Sequence, residues 1–467
     1  MKISKEFIAA VMAAALTLSG CTAVLPDAGY SLADCGSGTW QAGFAAAPIH
    51  LPGGSTGPLY IAGYQNGAEI TGVLDTPRAS ALWLDVDGKQ GILLISVDCV
   101  ALGADTVAEI RAQLSDFCRE SGCVSVNVIA THTHAGIDTL GLWGPVGVDG
   151  KNSAYMENLL IACKAAAEGA YADRTPGEFR FGQVETEAMQ FDSREPQHYD
   201  ETLYQLRFVP SDKEHNGIRI VSYAAHAESL RGDNTLLSRD YPGVMADLIM
   251  KETGDDMLFL PASIGGLIMT RDLSTDIFYA EDNLKTTGRL LTEYLMEIEE
   301  SDETVLSPEL AISRVEFDAA MDNTMFMYYK ALGILGNTIT DGESATGYIV
   351  RSEVSALRMG DVTLMLIPGE LFPELESGEG LGAGDPESLQ KIAADAGIKT
   401  AIVVGLANDE LGYIIPPSDF VVNEEAPFIL RVEGGGEDHY EETNSVGIGT
   451  AAAIADAMKL ALGLLKK

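Results

Sequence analysis

The distribution of apolar residues along the chain predicts an alternation of strands and helices. Apolar runs of strand length cover residues 91–100 and 124–131. Between them, apolar residues recur every three or four positions over residues 104–120, which predicts an amphipathic helix. A strand, a helix and a strand in this order form a βαβ unit, so we expect the two strands to be parallel.

The same pattern continues through the rest of the chain. Predicted strands cover residues 179–191, 203–209, 218–225, 257–260, 362–367 and 400–406, and predicted helices cover residues 155–171, 242–251, 280–300 and 445–465. Glycine, proline and acidic residues concentrate in residues 51–71 and 408–442, which are predicted to be irregular. We therefore expect an α/β fold, with a mixed, mostly parallel sheet flanked by helices and some additional antiparallel strands.

The first residues have the pattern of an export signal. A short positive segment with Lys2 and Lys5 precedes an apolar run over residues 7–18, which is too short to span a bilayer. Leu18-Ser19-Gly20-Cys21 then resembles the bacterial lipobox, in which the cysteine is acylated and becomes the new N-terminus. The alternatives are a plain signal peptide with a chance cysteine and a short membrane anchor.

This interpretation divides the chain into three parts and gives it a location. Residues 1–20 are a lipoprotein signal peptide, residues 21–40 a tether and residues 41–467 a single domain. We expect an exported protein of the bacterial cell envelope, held outside the cytoplasm on the membrane by a lipid on Cys21.

The charge of the chain disfavours one class of partner, and its cysteine spacing disfavours one type of metal site. The formal net charge is −39, from 69 acidic and 30 basic residues, which disfavours nucleic acid as a partner. The cysteines after Cys21 form no C-x-x-C pair, which argues against a cysteine-ligated zinc site.

Polar residues that can bind a metal follow several of the predicted strands. His132 and His134 come directly after one strand, and the strands over residues 218–225 and 362–367 lead to His226 and Glu370. Tyr413 follows the strand over residues 400–406. In a mostly parallel sheet, ligands bind just beyond the carboxyl ends of the strands. The sequence therefore predicts a metal site at these strand ends, with imidazole, carboxylate and phenol groups as its ligands.

Each of these residues also has a purely structural explanation. The two histidines at the strand tip can be surface residues, and His226 can be a hydrogen-bonded core histidine. Glu370 can stabilise the start of a helix after Pro368-Gly369. Tyr413 can be a packing residue.

Four ordered motifs resemble those of the neutral/alkaline ceramidase family. They are Thr131-His132-Thr133-His134-Ala135-Gly136 against T-H-T-H-[SA]-G; Ala225-His226-Ala227-Glu228-Ser229 with Asn234-Thr235-Leu236-Leu237-Ser238 and Asp240 against V-H-x-x-S and N-T-L-I-S-x-D; Pro368-Gly369-Glu370 against P-G-E; and Leu406-Ala407-Asn408 with Gly412-Tyr413 against L-A-N-x-x-x-G-Y. The resemblance extends from about Gly43 to Tyr440. Members of this family are zinc-dependent amidases that cleave the fatty-acyl amide of ceramide.

The resemblance implies a set of metal ligands. His132, His226, Glu370 and Tyr413 match the family's ligands, which would hold one zinc ion per chain and activate a water molecule. We expect that histidines at the spacing of His132 and His134 on an extended strand do not share one ion. His134 is therefore expected to carry a proton or to stabilise the oxyanion.

Two further residues follow from the same resemblance. Phe191-Asp192-Ser193-Arg194-Glu195-Pro196 aligns with the family's N-R-S-P region, which implies that Arg194 polarises the substrate. Tyr440-Glu441-Glu442-Thr443-Asn444-Ser445 resembles a Y-E-G-A-S segment, which implies that Tyr440 faces the substrate. Arg194 can instead be an ion-pairing residue, and Tyr440 a packing residue.

The chain also departs from the family pattern. Ile137-Asp138-Thr139 replaces P-G-G, and Pro261-Ala262-Ser263-Ile264-Gly265-Gly266 replaces a Q-G-x-x-G-D segment. We also expect the family's C-terminal β-sandwich to be absent. The leading hypothesis is a zinc hydrolase that cleaves the acyl amide of ceramide or a related N-acyl lipid. The alternatives are a hydrolase of a small soluble amide or ester and a ligand-binding surface lipoprotein without catalysis.

Overall fold

The computed structural model describes residues 29–54, 57–192, 194–266, 268–270, 280–434 and 437–466. The predicted signal peptide, Cys21 and the first part of the predicted tether lie outside the described residues. Within them, none of the helices combines the length and the hydropathy that a membrane span requires.

The strands alternate with a smaller number of helices. The strands are β1 (Tyr30–Ser37), β2 (Trp40–Pro48), β3 (Gly72–Val73), β4 (Arg78–Val86), β5 (Gly91–Val97), β6 (Cys123–Ala130), β7 (Thr175–Glu185), β8 (Gln190–Asp192), β9 (Thr202–Pro210), β10 (Ile218–Tyr223), β11 (Leu236–Leu237), β12 (Asp256–Pro261), β13 (Ile268–Thr270), β14 (Thr304–Val305), β15 (Glu309–Met321), β16 (Thr338–Asp341), β17 (Tyr348–Met359), β18 (Val362–Leu366), β19 (Glu370–Leu371), β20 (Thr400–Val404), β21 (Tyr413–Ile414), β22 (Val432–Gly434) and β23 (Glu437–His439). The helices are α1 (Ala104–Gln113), α2 (Ser115–Ser121), α3 (Ser153–Asp173), α4 (Asp240–Thr253), α5 (Ala280–Met296), α6 (Thr324–Ala331), α7 (Pro373–Ser377), α8 (Leu389–Asp395) and α9 (Thr450–Leu464).

Two large sheets form the centre of the molecule. In the first, the strand order is β12-β10-β9-β7-β2-β4-β5-β6, with β14 paired to β7. In the second, the order is β1-β15-β17-β18-β20, with β16 paired to β17. Apolar side chains of both sheets interlock between them, among them Leu94 of β5 and Leu357 of β17.

Helices cover the outer faces of the two sheets. Alternate residues of β5 point to opposite sides, so Leu93 packs among residues of α1 and α3 while Leu94 faces the second sheet. On the second sheet, Val354 packs with residues of α9. The order of layers is helix, sheet, sheet, helix. Because both faces of β5 are covered, all of its residues are buried, which explains its uninterrupted apolar sequence.

The predicted βαβ unit is confirmed. Strand β5 pairs with β6 in parallel, and Leu93 lies opposite Val126. The single helix predicted over residues 104–120 is instead two helices, α1 and α2, which meet at Leu114.

The prediction of a mostly parallel sheet is not confirmed. Within the described part of the chain, the parallel pairings of the two large sheets are β5–β6, β10–β12 and β18–β20, and the other pairings are antiparallel. Each parallel pair is separated in sequence by a helix, as a crossover requires. By contrast, β4 and β5 are joined by a short turn, and so are β17 and β18, which permits only antiparallel pairing. The α/β class holds, with mixed sheets.

Candidate metal centre

The polar residues predicted at the strand ends come together in the structure. His132 follows β6, and His226 follows β10. The two segments meet directly after the strands, where Thr133 and Ala227 form a parallel bridge and the His134 amide donates to the Ala227 carbonyl at 3.0 Å. This contact brings the imidazoles of two segments about 90 positions apart in sequence to one place.

The backbone at His132 turns its ring into the site. His132 has a φ of 62°, in the left-handed region that non-glycine residues seldom adopt, and its side chain is buried. Its Nδ1 lies 2.7 Å from the Val100 carbonyl oxygen. Because a carbonyl only accepts, Nδ1 carries the proton and Nε2 presents a lone pair. His132 is therefore held in the tautomer that binds a metal through Nε2.

The donor atoms have the spacing of ligands around one zinc ion. His226 Nε2 and His132 Nε2 lie 3.0 Å and 3.5 Å from Oε2 of Glu370. Tetrahedral ligands bound at about 2.0–2.1 Å lie about 3.3 Å apart. Nitrogen atoms of His132, His134 and His226 also lie within 4.8 Å of one another. The residues present fit a zinc ion.

The charge state of Glu370 suits a cation. Burial raises the pKa of this carboxyl, but the adjacent rings of His132 and His226 outweigh burial and hold the pKa below its ordinary value. Glu370 is therefore an anion facing two imidazoles, although it is buried.

His134 lies closer to His132 than an extended strand would allow. The left-handed conformation of His132 breaks the strand geometry, so the two Nε2 atoms are only 3.1 Å apart. Burial and the neighbouring His132 and His226 lower the pKa of His134 well below its ordinary value, so its ring is neutral. We expected the spacing of His132 and His134 to keep their rings too far apart to share one ion, but the observed geometry brings the rings together. His134 is therefore also within reach of an ion held by His132 and His226.

Tyr413 and Tyr440 lie next to each other on the Glu370 side of the site. Glu370 and Tyr413 are register partners in the short parallel pair β19–β21. The Tyr413 hydroxyl lies 3.1 Å from that of Tyr440. Burial, followed by the charge of Glu370, raises the pKa of Tyr413 well above its ordinary value. A phenol in this state stays protonated unless a cation offsets the carboxylate.

Several motif residues outside the ligand set hold the backbone in place. Gly369 has a φ of 147°, and a Cβ there would lie 2.7 Å from the Gly412 carbonyl oxygen. Asn408 pairs with Val128 of β6 twice, through its amide at 2.8 Å and by accepting at its Oδ1 at 2.9 Å. The P-G-E and L-A-N motifs thus position Glu370 and connect it to the strand that carries His132.

The segment after His226 is held by a buried carboxylate. Asp240 accepts hydrogen bonds from the amides of Ser229 at 3.1 Å and Tyr241 at 2.7 Å. Burial raises the pKa of Asp240 to about 6. The Tyr241 hydroxyl donates to the Ala225 carbonyl at 2.7 Å, directly before His226. The downstream N-T-L-L-S-x-D motif therefore supports the backbone at His226.

Arg194 lies among carboxylates of two segments, Asp419 and the pair Glu441-Glu442 that follows Tyr440. Its guanidinium is buried, 2.7 Å from Asp419, 3.0 Å from Glu441 and 3.4 Å from Glu442. Burial lowers the pKa of Arg194, but these carboxylates outweigh it and raise the pKa overall. Arg194 is thus a permanent cation that anchors the segment carrying Tyr440.

Sequence reasoning missed two residues beside His134. Glu228 Oε2 lies 3.5 Å from His134 Nδ1, and the Tyr64 hydroxyl donates a hydrogen bond to the same carboxylate oxygen. The Tyr64 ring stands edge-on to the His134 ring, with 5.1 Å between centroids. Glu228 could have been noticed as an acid two positions after a proposed ligand. Tyr64 lies in the segment predicted to be irregular and gave no signal.

The segments that depart from the family pattern lie beside Tyr64 and Glu370. Ile137 forms an antiparallel bridge with Ile61, which holds the segment before Tyr64 against the site. Asp138 accepts from the amides of Gly141 at 2.7 Å and Trp143 at 2.8 Å. Gly265, in the other departing segment, donates its amide to the Leu371 carbonyl at 2.8 Å, next to Glu370. Both segments shape the surroundings of the centre rather than its donor atoms.

Comparison with known proteins gives similarity at the level of structure. No protein-family model matches the sequence, and no curated protein matches it. Among solved structures, the neutral ceramidase from Pseudomonas aeruginosa superimposes with a TM-score of 0.71 at 16% identity, over 92% of this chain and 75% of that chain. A ceramidase complexed with C2 gives a TM-score of 0.67 at 16% identity, with the same coverage. The chain therefore has the fold of the neutral ceramidases, as its ordered motifs predict.

Proposed function

We propose that this protein is a zinc-dependent hydrolase that cleaves the acyl amide of ceramide or a related N-acyl lipid. One observation carries the proposal. In a chain with the ceramidase fold, Oε2 of Glu370 lies 3.0 Å from Nε2 of His226 and 3.5 Å from Nε2 of His132, which is the spacing of ligands on one ion. Tyr413 in β21, the register partner of Glu370 in β19, is proposed as the fourth ligand.

A zinc ion in this site would lower the pKa of a water molecule to about 7 and polarise the acyl carbonyl. The protein supplies the remaining functions. The Glu370 carboxylate offsets part of the ion's charge. The hydrogen bond from His132 Nδ1 to the Val100 carbonyl fixes the ring orientation.

His134 is proposed as the residue that moves the proton. Its ring is neutral, so Nε2 can take a proton from the attacking water and return it to the departing amine nitrogen. An amide needs this second step because an unprotonated amine anion is a poor leaving group. The proximity of His134 Nε2 to His132 supports this role and also permits His134 to bind the ion.

Tyr440 and Arg194 are proposed to act on the substrate. Tyr440 is half-buried and its hydroxyl is hydrogen-bonded to that of Tyr413, which suits a donor to the acyl oxygen. Arg194 holds the Tyr440 segment through Glu441 and adds positive charge on that side. In this arrangement most of the charge of Arg194 is already offset, so its contribution to polarising the substrate works through the position of Tyr440.

The experiment that tests the proposal is a hydrolysis screen of the purified protein with zinc supplied. The probes are a short-chain N-acylsphingosine, an N-acyl amino acid and a p-nitrophenyl ester of a short fatty acid. We expect release of sphingosine and fatty acid from the first probe, and loss of the reaction with a chelator. Turnover of the ester or of the N-acyl amino acid alone would favour the small-substrate hydrolase. Binding of the N-acylsphingosine without turnover would favour the ligand-binding lipoprotein.

We also propose that the protein is exported and anchored by a lipid on Cys21, on the strength of Leu18-Ser19-Gly20-Cys21. Such an anchor would bring the site to lipid substrates in the membrane. Mass spectrometry of the mature N-terminal peptide tests this directly. We expect a diacylglyceryl-modified Cys21, and an unmodified N-terminus beyond that position would refute it.

A further inference from the structure

A carboxylate and a phenol outside the proposed ligand set form a chain of contacts that ends on His134. The Tyr64 hydroxyl donates to Glu228 Oε2, and the same oxygen lies 3.5 Å from His134 Nδ1. Glu228 is buried, whereas Tyr64 is exposed. Neither residue belongs to the ligand set or to the groups that the resemblance places on the substrate.

The nitrogen that faces Glu228 needs a partner. His134 Nδ1 is buried and makes no hydrogen bond with the described residues. A buried imidazole nitrogen without a partner costs free energy, and the Glu228 carboxylate is the acceptor that faces it. Hydrogen bonds in catalytic sites are often long before the substrate binds and shorten in the complex.

The backbone on the other side of the ring prevents His134 from turning away. Gly63 has a φ of 112°, and a Cβ there would lie 2.6 Å from Cγ of His134. The Tyr64 ring then stands edge-on against the imidazole. The ring is therefore confined between the Gly63–Tyr64 backbone and His132, with Nδ1 toward Glu228 and Nε2 toward His132 Nε2.

We propose that Glu228 is the positioning residue of His134, and that Tyr64 orients Glu228. By accepting a hydrogen bond from Nδ1–H, Glu228 keeps the proton on Nδ1 and leaves the lone pair on Nε2. Only that tautomer lets Nε2 accept a proton or bind the ion on the reacting side. The inference rests on the proposed function for its consequence in catalysis, although the tautomer can be measured without turnover.

The first test measures the tautomer. The chain has only seven histidines, so long-range ¹H–¹⁵N correlation spectra of ¹⁵N-histidine-labelled protein are tractable, and His134→Asn assigns the signal. In the zinc-loaded wild type, we expect His134 to carry its proton on Nδ1. Glu228→Ala should give a mixture of tautomers, and Glu228→Gln, which keeps an acceptor, should retain the wild-type form. An unchanged His134 signal in Glu228→Ala would overturn the proposal.

The second test measures turnover of a short-chain N-acylsphingosine. Loss of a residue that supports a metal-site histidine costs about 10- to 100-fold. We expect Glu228→Ala to lower kcat by this factor with KM and zinc content close to wild type. Glu228→Gln should recover most of kcat, and Tyr64→Phe should show a smaller loss. Asp233→Ala, which removes an exposed acid from the same loop, is the matched control and should behave as wild type.

The outcomes separate the inference from the proposed function. Absence of turnover in the wild type would refute the proposed function, while the spectra would still decide the role of Glu228. Equal losses in Glu228→Ala and Glu228→Gln, or loss of zinc in both, would assign Glu228 to the ligand shell or to folding, and would overturn the positioning role.

Discussion

The Nε2 atoms of His132 and His134 lie 3.1 Å apart, although the two residues are separated by a single threonine. On a regular strand, side chains two positions apart point in the same direction with about 6–7 Å between them. The left-handed backbone at His132 removes this separation and brings both rings to one point. The H-T-H motif therefore works through a backbone conformation that its spacing alone does not reveal.

Removal of a proposed ligand should abolish metal binding and activity together. His226→Ala and Glu370→Ala each remove one donor from the set in which the Glu370 carboxylate lies 3.0 Å from His226 and 3.5 Å from His132. We expect both variants to lose most of the zinc. Loss of a residue that only supports a metal ligand costs about 10- to 100-fold in activity, and we expect these two variants to lose more than that. Metal analysis after dialysis measures the first effect. The control is His215→Ala, whose imidazole pairs with Asp212 on a surface loop and should leave both quantities unchanged.

His134→Ala separates a proton carrier from a metal ligand. If His134 moves a proton, the variant should keep its zinc and lose about 10²- to 10⁴-fold in kcat. The measurement pairs zinc content with kcat on a short-chain N-acylsphingosine. Zinc loss equal to that of His226→Ala would show that the short distance to His132 reflects a shared ion, and the division of roles would be wrong.

Tyr413 and Tyr440 should also separate into a metal ligand and a residue that acts on the substrate. Tyr413→Phe removes the oxygen proposed as the fourth ligand, so we expect weaker zinc binding measured by competition with a chromogenic chelator. Tyr440→Phe removes the hydroxyl that lies 3.1 Å from Tyr413, and should lower kcat about 10- to 100-fold with little change in zinc affinity. If both variants lose zinc equally, Tyr440 acts by holding Tyr413.

A methyl group at Gly63 should disturb His134 without unfolding the protein. A Cβ at this position would lie 2.6 Å from Cγ of His134, and the positive φ of Gly63 adds strain. We expect Gly63→Ala to lower kcat at least about tenfold, while circular dichroism stays that of the wild type. Gly53→Ala, where the added Cβ would meet no atom within 4 Å, is the matched control. Unchanged kcat in Gly63→Ala would show that His134 tolerates displacement.

Stability should fall with rising pH because of a buried acid away from the metal centre. Burial raises the pKa of Glu376 on α7 to about 8 from its ordinary 4.5. Between these values the folded state holds a proton that the unfolded state releases, so stability decreases as pH rises, by up to about 1.4 kcal/mol per pH unit. Glu376→Gln removes this dependence. Urea unfolding should show a stability advantage of the variant over wild type that is larger at pH 9 than at pH 6, and an equal difference at both pH values would refute the assignment.

The sequence carried most of the information about the donor set and less about the sheets. Motif order placed His132, His226 and Glu370 on separate strands, and the structure brings these three together. The parallel β5–β6 pair was predictable because its helical crossover has a clear periodicity. The long antiparallel strands β15 and β17 were not predicted, because their pairing is set by contacts distant in sequence and by short turns rather than by local periodicity.

The environment of His134 was beyond sequence reasoning for a physical reason. The contact between Glu228 and His134 depends on the bridge between Thr133 and Ala227, which joins two segments far apart in the chain. The position of Tyr64 depends on the bridge from Ile61 to Ile137, a residue first noticed only as a departure from the family pattern. Such contacts follow from tertiary packing, which no local pattern encodes.

The most direct test of the central claim is the release of sphingosine from a short-chain N-acylsphingosine by the purified protein. It is measured in the native state, after chelation and dialysis, and after addition of one equivalent of zinc. We predict turnover that chelation abolishes and that one zinc ion per chain restores in the wild type but not in His226→Ala. Turnover that persists in the metal-free protein, or that zinc restores equally in His226→Ala, would contradict the account.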